Sequence, residues 1–212
     1  MRAVRGVVLA GGRGRRLGLG VPKARAGIAG RTLLERAVAT LAEACGEVIV
    51  VAPAGLDLGP CAARRVCDVA GFAGPLAGLV AGLEACAGAD VAVLGVDFPL
   101  AGAGWPRALL ERLAADASHG AAVARAVVPR PGGFAQPLVA AYGAGAAAEL
   151  RVALECGVTS LRGGLEKLAV TWLEDADLAV LPGGATALLN VNTPADLDAA
   201  RRLLEPVTGG VR

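Results

Sequence analysis

The chain has 212 residues, enough for one domain with a real core, and 55% of them are hydrophobic while only 3% are aromatic. Few stacking platforms and a formal net charge of +2 give no sign of a nucleic-acid or membrane-binding surface, so neither partner is expected. The five cysteines, Cys45, Cys61, Cys67, Cys86 and Cys156, form no Cys-x-x-Cys pair; they read as small buried hydrophobes in a reducing compartment rather than a disulfide framework or a zinc knuckle.

Residues 4–10 read as a buried strand, whose apolar run is too short for a signal peptide. No window approaches the ~18 uninterrupted apolar residues of a membrane span, so a soluble, cytoplasmic protein is expected. Residues 33–45 place Leu34, Ala37, Val38 and Leu41 on one helical face, and Thr32 with Glu35 forms a capping box at the start. A second strand, 47–52, ends at Pro53. A glycine-rich bend at 71–75 precedes a helix with Leu76, Leu79, Val80 and Leu83 on one face. A third apolar strand, 90–97, stops before Pro99.

Weaker patterns predict a helix at 106–115, strands at 121–127 and 134–142, a helix at 144–156, and strands at 168–173 and 187–192. The closing helix takes Thr193 as N-cap, Pro194 at N1 and Asp196 at N3. The alternation implies right-handed crossovers and an α/β fold, a three-layer α/β/α sandwich on a mainly parallel, Rossmann-like sheet. No linker or repeat divides the chain, so 1–205 reads as one domain and 206–212 as a frayed tail.

The stretch VVLAGGRGRRLGLGVPK, residues 7–23, carries glycine and positive charge directly off the first strand, where such sheets bind ligands. It is not a nucleoside-triphosphate P-loop, because no Gly-Lys pair occurs in the chain. It is not a dinucleotide fingerprint either, because Leu17 stands where the third glycine belongs. What remains is a loop whose backbone N–H groups can wrap a polyphosphate, with Arg13, Arg15, Arg16 and Lys23 adding charge.

LAGGRGRRLG, followed by Pro22-Lys23 and GRTLLERAV, resembles the opening signature of nucleotidyltransferases, in particular the molybdenum cofactor guanylyltransferases. Asp68 with Gly74-Pro75-Leu76-Ala77-Gly78 is similar to that group's D-x(5)-G-P-L-A-G segment, and Asp97 with Pro99 to its D-x-P motif. QPLVAAY (136–142) and NVNTPADL (190–197) resemble its two later motifs. One position departs: close relatives usually carry Asp-Lys where this chain has Pro22-Lys23, and Pro-Lys is more typical of sugar-phosphate and isoprenoid cytidylyltransferases.

The resemblance implies transfer of a nucleotidyl group, GMP from GTP, to a phosphorylated acceptor, molybdopterin, with release of pyrophosphate. Mg²⁺ is the implied cofactor and Asp97 its ligand; Lys23 and Arg16 are the other implied catalytic residues, meeting the phosphates, while Arg13 and Arg15 remain steering charges. Leu9, Ala10, Gly11, Gly12 and Gly14, with Lys23, would bind the nucleotide. Asp68 and Gly74, Pro75 and Leu76 would line the pocket, Asp68 on the base or on the ribose. Gln136, Asn190 and Asn192 would meet the acceptor, although the asparagines, alternating along a strand, could equally cap the next helix. His119 reads as a surface residue. A cytidylyltransferase, a guanylyltransferase for another acceptor and a non-catalytic nucleotide binder are the alternatives, and a delivery contact with other cofactor-biosynthesis proteins stays open.

Overall fold

The computed structural model describes residues 3–12, 14, 17–117 and 125–204. The predicted roles of Arg13, Arg15, Arg16 and His119, the first residues of the strand at 121–127 and the tail at 206–212 lie outside the described residues.

Strand β1 (Val4–Leu9) leads into a glycine loop, a 3-10 turn at Lys23–Arg25 and a two-residue hairpin, β2 (Gly27–Ile28) and β3 (Arg31–Thr32). Helix α1 (Leu33–Ala42) starts on the predicted capping box: Glu35 N donates to Thr32 Oγ1 at 3.1 Å, and Thr32 N donates to Glu35 Oε2 at 2.7 Å. β4 (Glu47–Val51), β5 (Arg64–Val66), α2 (Pro75–Ala85) and β6 (Asp90–Gly95) follow. Next come α3 (Gly104–Ala117), β7 (Arg125–Pro129), β8 (Val139–Tyr142), α4 (Ala146–Glu155) and α5 (Leu161–Leu165). β9 (Ala169–Leu173), α6 (Asp175–Ala179), a 3-10 turn at Gly184–Leu188 and α7 (Pro194–Leu204) complete the order.

The main sheet runs β5-β4-β1-β6-β8-β7-β9. β8 is antiparallel to both neighbours and every other pairing is parallel, so the sheet is mainly parallel as expected. β1 sits between β4 and β6, with Val7 level with Ile49 and Val93. Because successive side chains on a strand face opposite ways, Val7, Ile49 and Val93 pack under α2 and α4, whereas Val8, Val50 and Leu94 pack under α1, α3 and α7. These two cores make the three layers.

Helix α2 is buried along its whole length from Leu76 to Leu83, not on one face alone. It can lie that close because of Gly82, where a Cβ would come within 2.5 Å of Val7 Cγ1. No helix among the described residues is long and apolar enough to cross a membrane.

Three sequence expectations change. Residues 187–192 are not a strand: Gly183 and Gly184, both at positive φ, start a 3-10 turn, and the chain then runs irregularly past the sheet. Ala187, Leu188 and Val191 are buried there by packing, and a short apolar run looks the same in either setting. The strand expected at 134–142 is confined to Val139–Tyr142, because a 3-10 turn at Pro131–Gly133 leaves Phe134 out in solvent. Cys45 and Cys86 are buried, as expected, but Cys61, Cys67 and Cys156 are exposed on connecting segments.

Candidate active site

The carboxyl ends of β1, β4 and β6 open onto a cavity of about 770 Å³. Ala10 N donates to Val51 O at 2.8 Å, which keeps the chain in the sheet for one residue beyond β1 and then releases Gly11 and Gly12 over the cavity. The loop returns on itself: Lys23 N donates to Gly12 O at 3.3 Å, and Leu17, fully buried, anchors the excursion. Gly14 has φ +64°, and a Cβ there would meet Lys23 N at 2.8 Å. Only glycine fits the point where the loop closes over the lysine.

Lys23 is the buried charged residue of the described chain, 5% exposed. Pro22 at extended φ/ψ starts the 3-10 turn, whose Ala24 is also buried, so the lysine stem is fixed in the core. Its Nζ lies 2.9 Å from Asp97 Oδ1 and donates to Asn192 Oδ1 at 2.8 Å. An ammonium has three N–H groups; these two acceptors take two of them at the cavity wall. The chain has 19 arginines and only two lysines, Lys23 and Lys167. Lysine here marks a need for a compact ammonium rather than a planar fork.

Asp97 stands two residues past β6 with a side chain 24% exposed, also on the wall. Its backbone carbonyl accepts from Val191 N at 2.8 Å, which brings the 190–193 segment alongside. Asp196, on the first turn of α7, accepts from Asn192 N at 2.9 Å and Thr193 N at 2.8 Å. Those backbone N–H groups hold its carboxyl below the usual range.

The side of the cavity toward β4 and β5 has more apolar walls. Leu9, Val51 and Pro53 line it, with Asp68 and the first turn of α2 at Gly74, Pro75 and Gly78. Asp68 Oδ1 lies 3.1 Å from where a Gly78 Cβ would stand, so glycine makes room for it. Partial burial pushes its carboxyl above the ordinary value, and no partner among the described residues offsets that. The positive end of the α2 dipole faces the same space.

Of the predicted nucleotide residues, Leu9, Gly11, Gly12, Gly14, Lys23, Asp68, Gly74 and Pro75 meet at this one cavity. Ala10 and Leu76 have no exposed surface: Ala10 serves the sheet, and the Leu76 side chain packs toward Gly164. Asn192 and Asp97 line the cavity, whereas Gln136 and Asn190 do not. Asn190 Oδ1 is buried with no hydrogen-bond partner, and without a strand at 187–192 the alternation argument for the two asparagines does not apply. The sequence reading missed the Lys23–Asp97 pairing, and it missed Leu17, Pro53, Gly78 and Leu138 on the walls. Pro53 ending β4 was a usable signal for the wall it forms.

A metal at Asp97 would have fewer than three His, Cys, Asp or Glu ligands from the described residues, among which no cluster of three or more occurs. That donor set fits Mg²⁺, which is commonly held by one or two carboxylates and substrate phosphates. It does not suit a structural zinc, which wants four protein ligands.

A mainly parallel sheet that opens such a cavity at its strand ends is the architecture of a nucleotide-binding α/β enzyme. Residues 6–178 match the MobA-like NTP transferase domain. A Chloroflexus aggregans protein named "Probable molybdenum cofactor guanylyltransferase" is 36% identical over 205 residues, covering 94% of each chain. One of the same name from Opitutus terrae is 37% identical over 204 residues, covering 94% of this chain and 96% of that one. Among solved structures, the molybdopterin-guanine dinucleotide biosynthesis protein A of Archaeoglobus fulgidus superposes with a TM-score of 0.77 over 94% of this chain and 97% of that chain; at 24% identity it shows the shared fold. The chain belongs to the MobA-like NTP transferase family and is a nucleotidyltransferase.

Proposed function

We propose that this chain transfers GMP from GTP to a molybdopterin-type phosphorylated acceptor with the help of Mg²⁺. An acceptor phosphate oxygen bonds to the α-phosphorus of GTP, the bond from that phosphorus to the oxygen bridging to the β-phosphate breaks, and pyrophosphate leaves with the electron pair. The acceptor is already an anion at neutral pH, so the site needs positioning and charge rather than a strong general base.

The single observation that carries this reading is the two-ended cavity. At one end the Lys23 ammonium has two protein acceptors and one N–H left for a phosphate oxygen. At the other, Asp68 is a carboxylate with no partner among the described residues, and it can accept from the N1–H and exocyclic amine of guanine. Gly11, Gly12 and Gly14 of the glycine loop line the same cavity, and their backbone N–H groups can meet the phosphates. Mg²⁺ bound at Asp97 would neutralise charge building on the phosphates.

The names of the relatives support guanine as the base and the molybdenum cofactor as the acceptor. Incubation with each nucleoside triphosphate, Mg²⁺ and molybdopterin, followed by mass spectrometry, tests it. Only GTP should yield a nucleotidylated product. A product from CTP instead would favour the cytidylyl alternative to which Pro22 points.

A further inference from the structure

We infer that Asp196 is a positioning residue for Lys23, acting through Asn192. The inference rests on the transferase reading only for its consequence in catalysis. Asp196 touches no wall of the cavity. As the N3 residue of α7 it has an ordinary task, to accept from the N-cap Thr193 N, and it does so at 2.8 Å while Asp196 N donates to Thr193 Oγ1 at 3.2 Å. The same Oδ2 also accepts from Asn192 N at 2.9 Å, a bond that capping does not need.

That extra bond fixes the backbone of the residue whose side chain holds the lysine. Asn192 Oδ1 accepts from Lys23 Nζ at 2.8 Å, and Lys23 Nζ reaches Asp97 Oδ1 at 2.9 Å. On the other side, Val191 N donates to Asp97 O at 2.8 Å, so the segment is pinned before and after Asn192. Asp97, Lys23, Asn192 and Asp196 thus form one connected chain of bonds from the cavity wall to α7. In this arrangement Asn192 orients the catalytic ammonium and its Oδ1 is already engaged.

The two-lysine composition supplies the test, because Lys167 is exposed and serves as an internal reference for Lys23. Brief acetylation at one fixed pH, well below the melting temperature, gives a Lys23/Lys167 labelling ratio by mass spectrometry. In the wild type, burial should slow Lys23 by about tenfold or more. Asp196→Ala should raise the ratio by about two- to thirtyfold, the range a lost cap bond gives to local opening. Asn192→Ala should do likewise, and Asn192→Asp, which keeps an acceptor for the ammonium, should restore slow labelling.

Thr193→Ala is the control: it removes a capping hydroxyl and lowers the melting temperature, yet leaves Asn192 N bonded to Asp196. Its ratio should stay near wild type. An unchanged ratio in Asp196→Ala overturns the inference. So does an equal rise in Thr193→Ala, because fraying of α7 alone would then free the lysine. The ratio is read without any nucleotide, so absence of GMP transfer in the wild type would sink the transferase reading and leave this result standing.

Discussion

Lys23 Nζ lies 2.9 Å from Asp97 Oδ1, and the two side chains are 6% and 24% exposed. The lysine therefore belongs to the protein before it belongs to any phosphate. Removing one member of a mostly buried ion pair leaves the other desolvated and unmatched, which is worse than removing both.

Lys23→Met should therefore lower stability by about 3 kcal/mol at most, given the partial exposure of Asp97, and adding Asp97→Asn should recover part of that loss. Urea unfolding of the two single variants and the double variant measures the coupling. Strict additivity would mean that the pair is geometric only. Lys23→Arg keeps the charge but not the shape, and a misplaced cation should slow transfer on the order of a hundredfold.

Asp97→Asn should leave the sheet intact and reduce transfer by roughly a thousandfold or more, the loss expected when the charge holding the metal goes. Circular dichroism checks the fold and a pyrophosphate-release assay the rate. Activity within about tenfold of wild type would remove Asp97 from the metal site.

GTP with Mg²⁺ should raise the melting temperature more than CTP, ATP or UTP. At a hundred times its dissociation constant a ligand adds ~2.7 kcal/mol, and in a chain of this size that is about 5–10 °C. Asp68→Ala should shrink the gap between GTP and the others, because the wrong base no longer leaves a carboxylate unpaired. A larger shift with CTP in the wild type would reverse the assignment of the base.

Asp68 also has a pH signature. Burial raises its carboxyl in the folded chain, so the fold prefers the protonated form; its contribution is fully present below the ordinary carboxylate range and is lost as pH rises through the folded value. At pH 7 the ligand-free protein therefore carries Asp68 at a loss. Asp68→Asn should melt higher than wild type at pH 7, and the difference should narrow as the pH falls toward 4. A constant difference across that range would show that the charge is not what destabilises.

Local patterns made β1, β4, β6 and the capping boxes at Thr32 and Thr193 legible, since an apolar run or a four-residue cap is complete within its own window. β5 escaped because Arg64 and Arg65 give an edge strand no apolar signature. The turn at Gly184–Leu188 was misread because burial by packing and burial by pairing leave the same letters. In the site, the glycine loop announced itself through type and spacing, whereas Asp68 was legible only through the resemblance of its segment to a family motif. The Lys23–Asn192 bond joins residues 169 apart and depends on where the topology brings them, which no local window contains.

That separation has a consequence for the order in which the protein is made. After Lys23 is added, the ribosome must add 169 more residues before Asn192 exists; at ordinary speeds this takes roughly ten to thirty seconds. Every strand of the main sheet lies before residue 174. The nascent chain can therefore complete its sheet while Lys23 still lacks its partner. A chain terminated between β9 and Asn192 would keep all nine strands and lose the partner that orients its lysine, so assembly of the sheet and completion of the site are separate events in its synthesis.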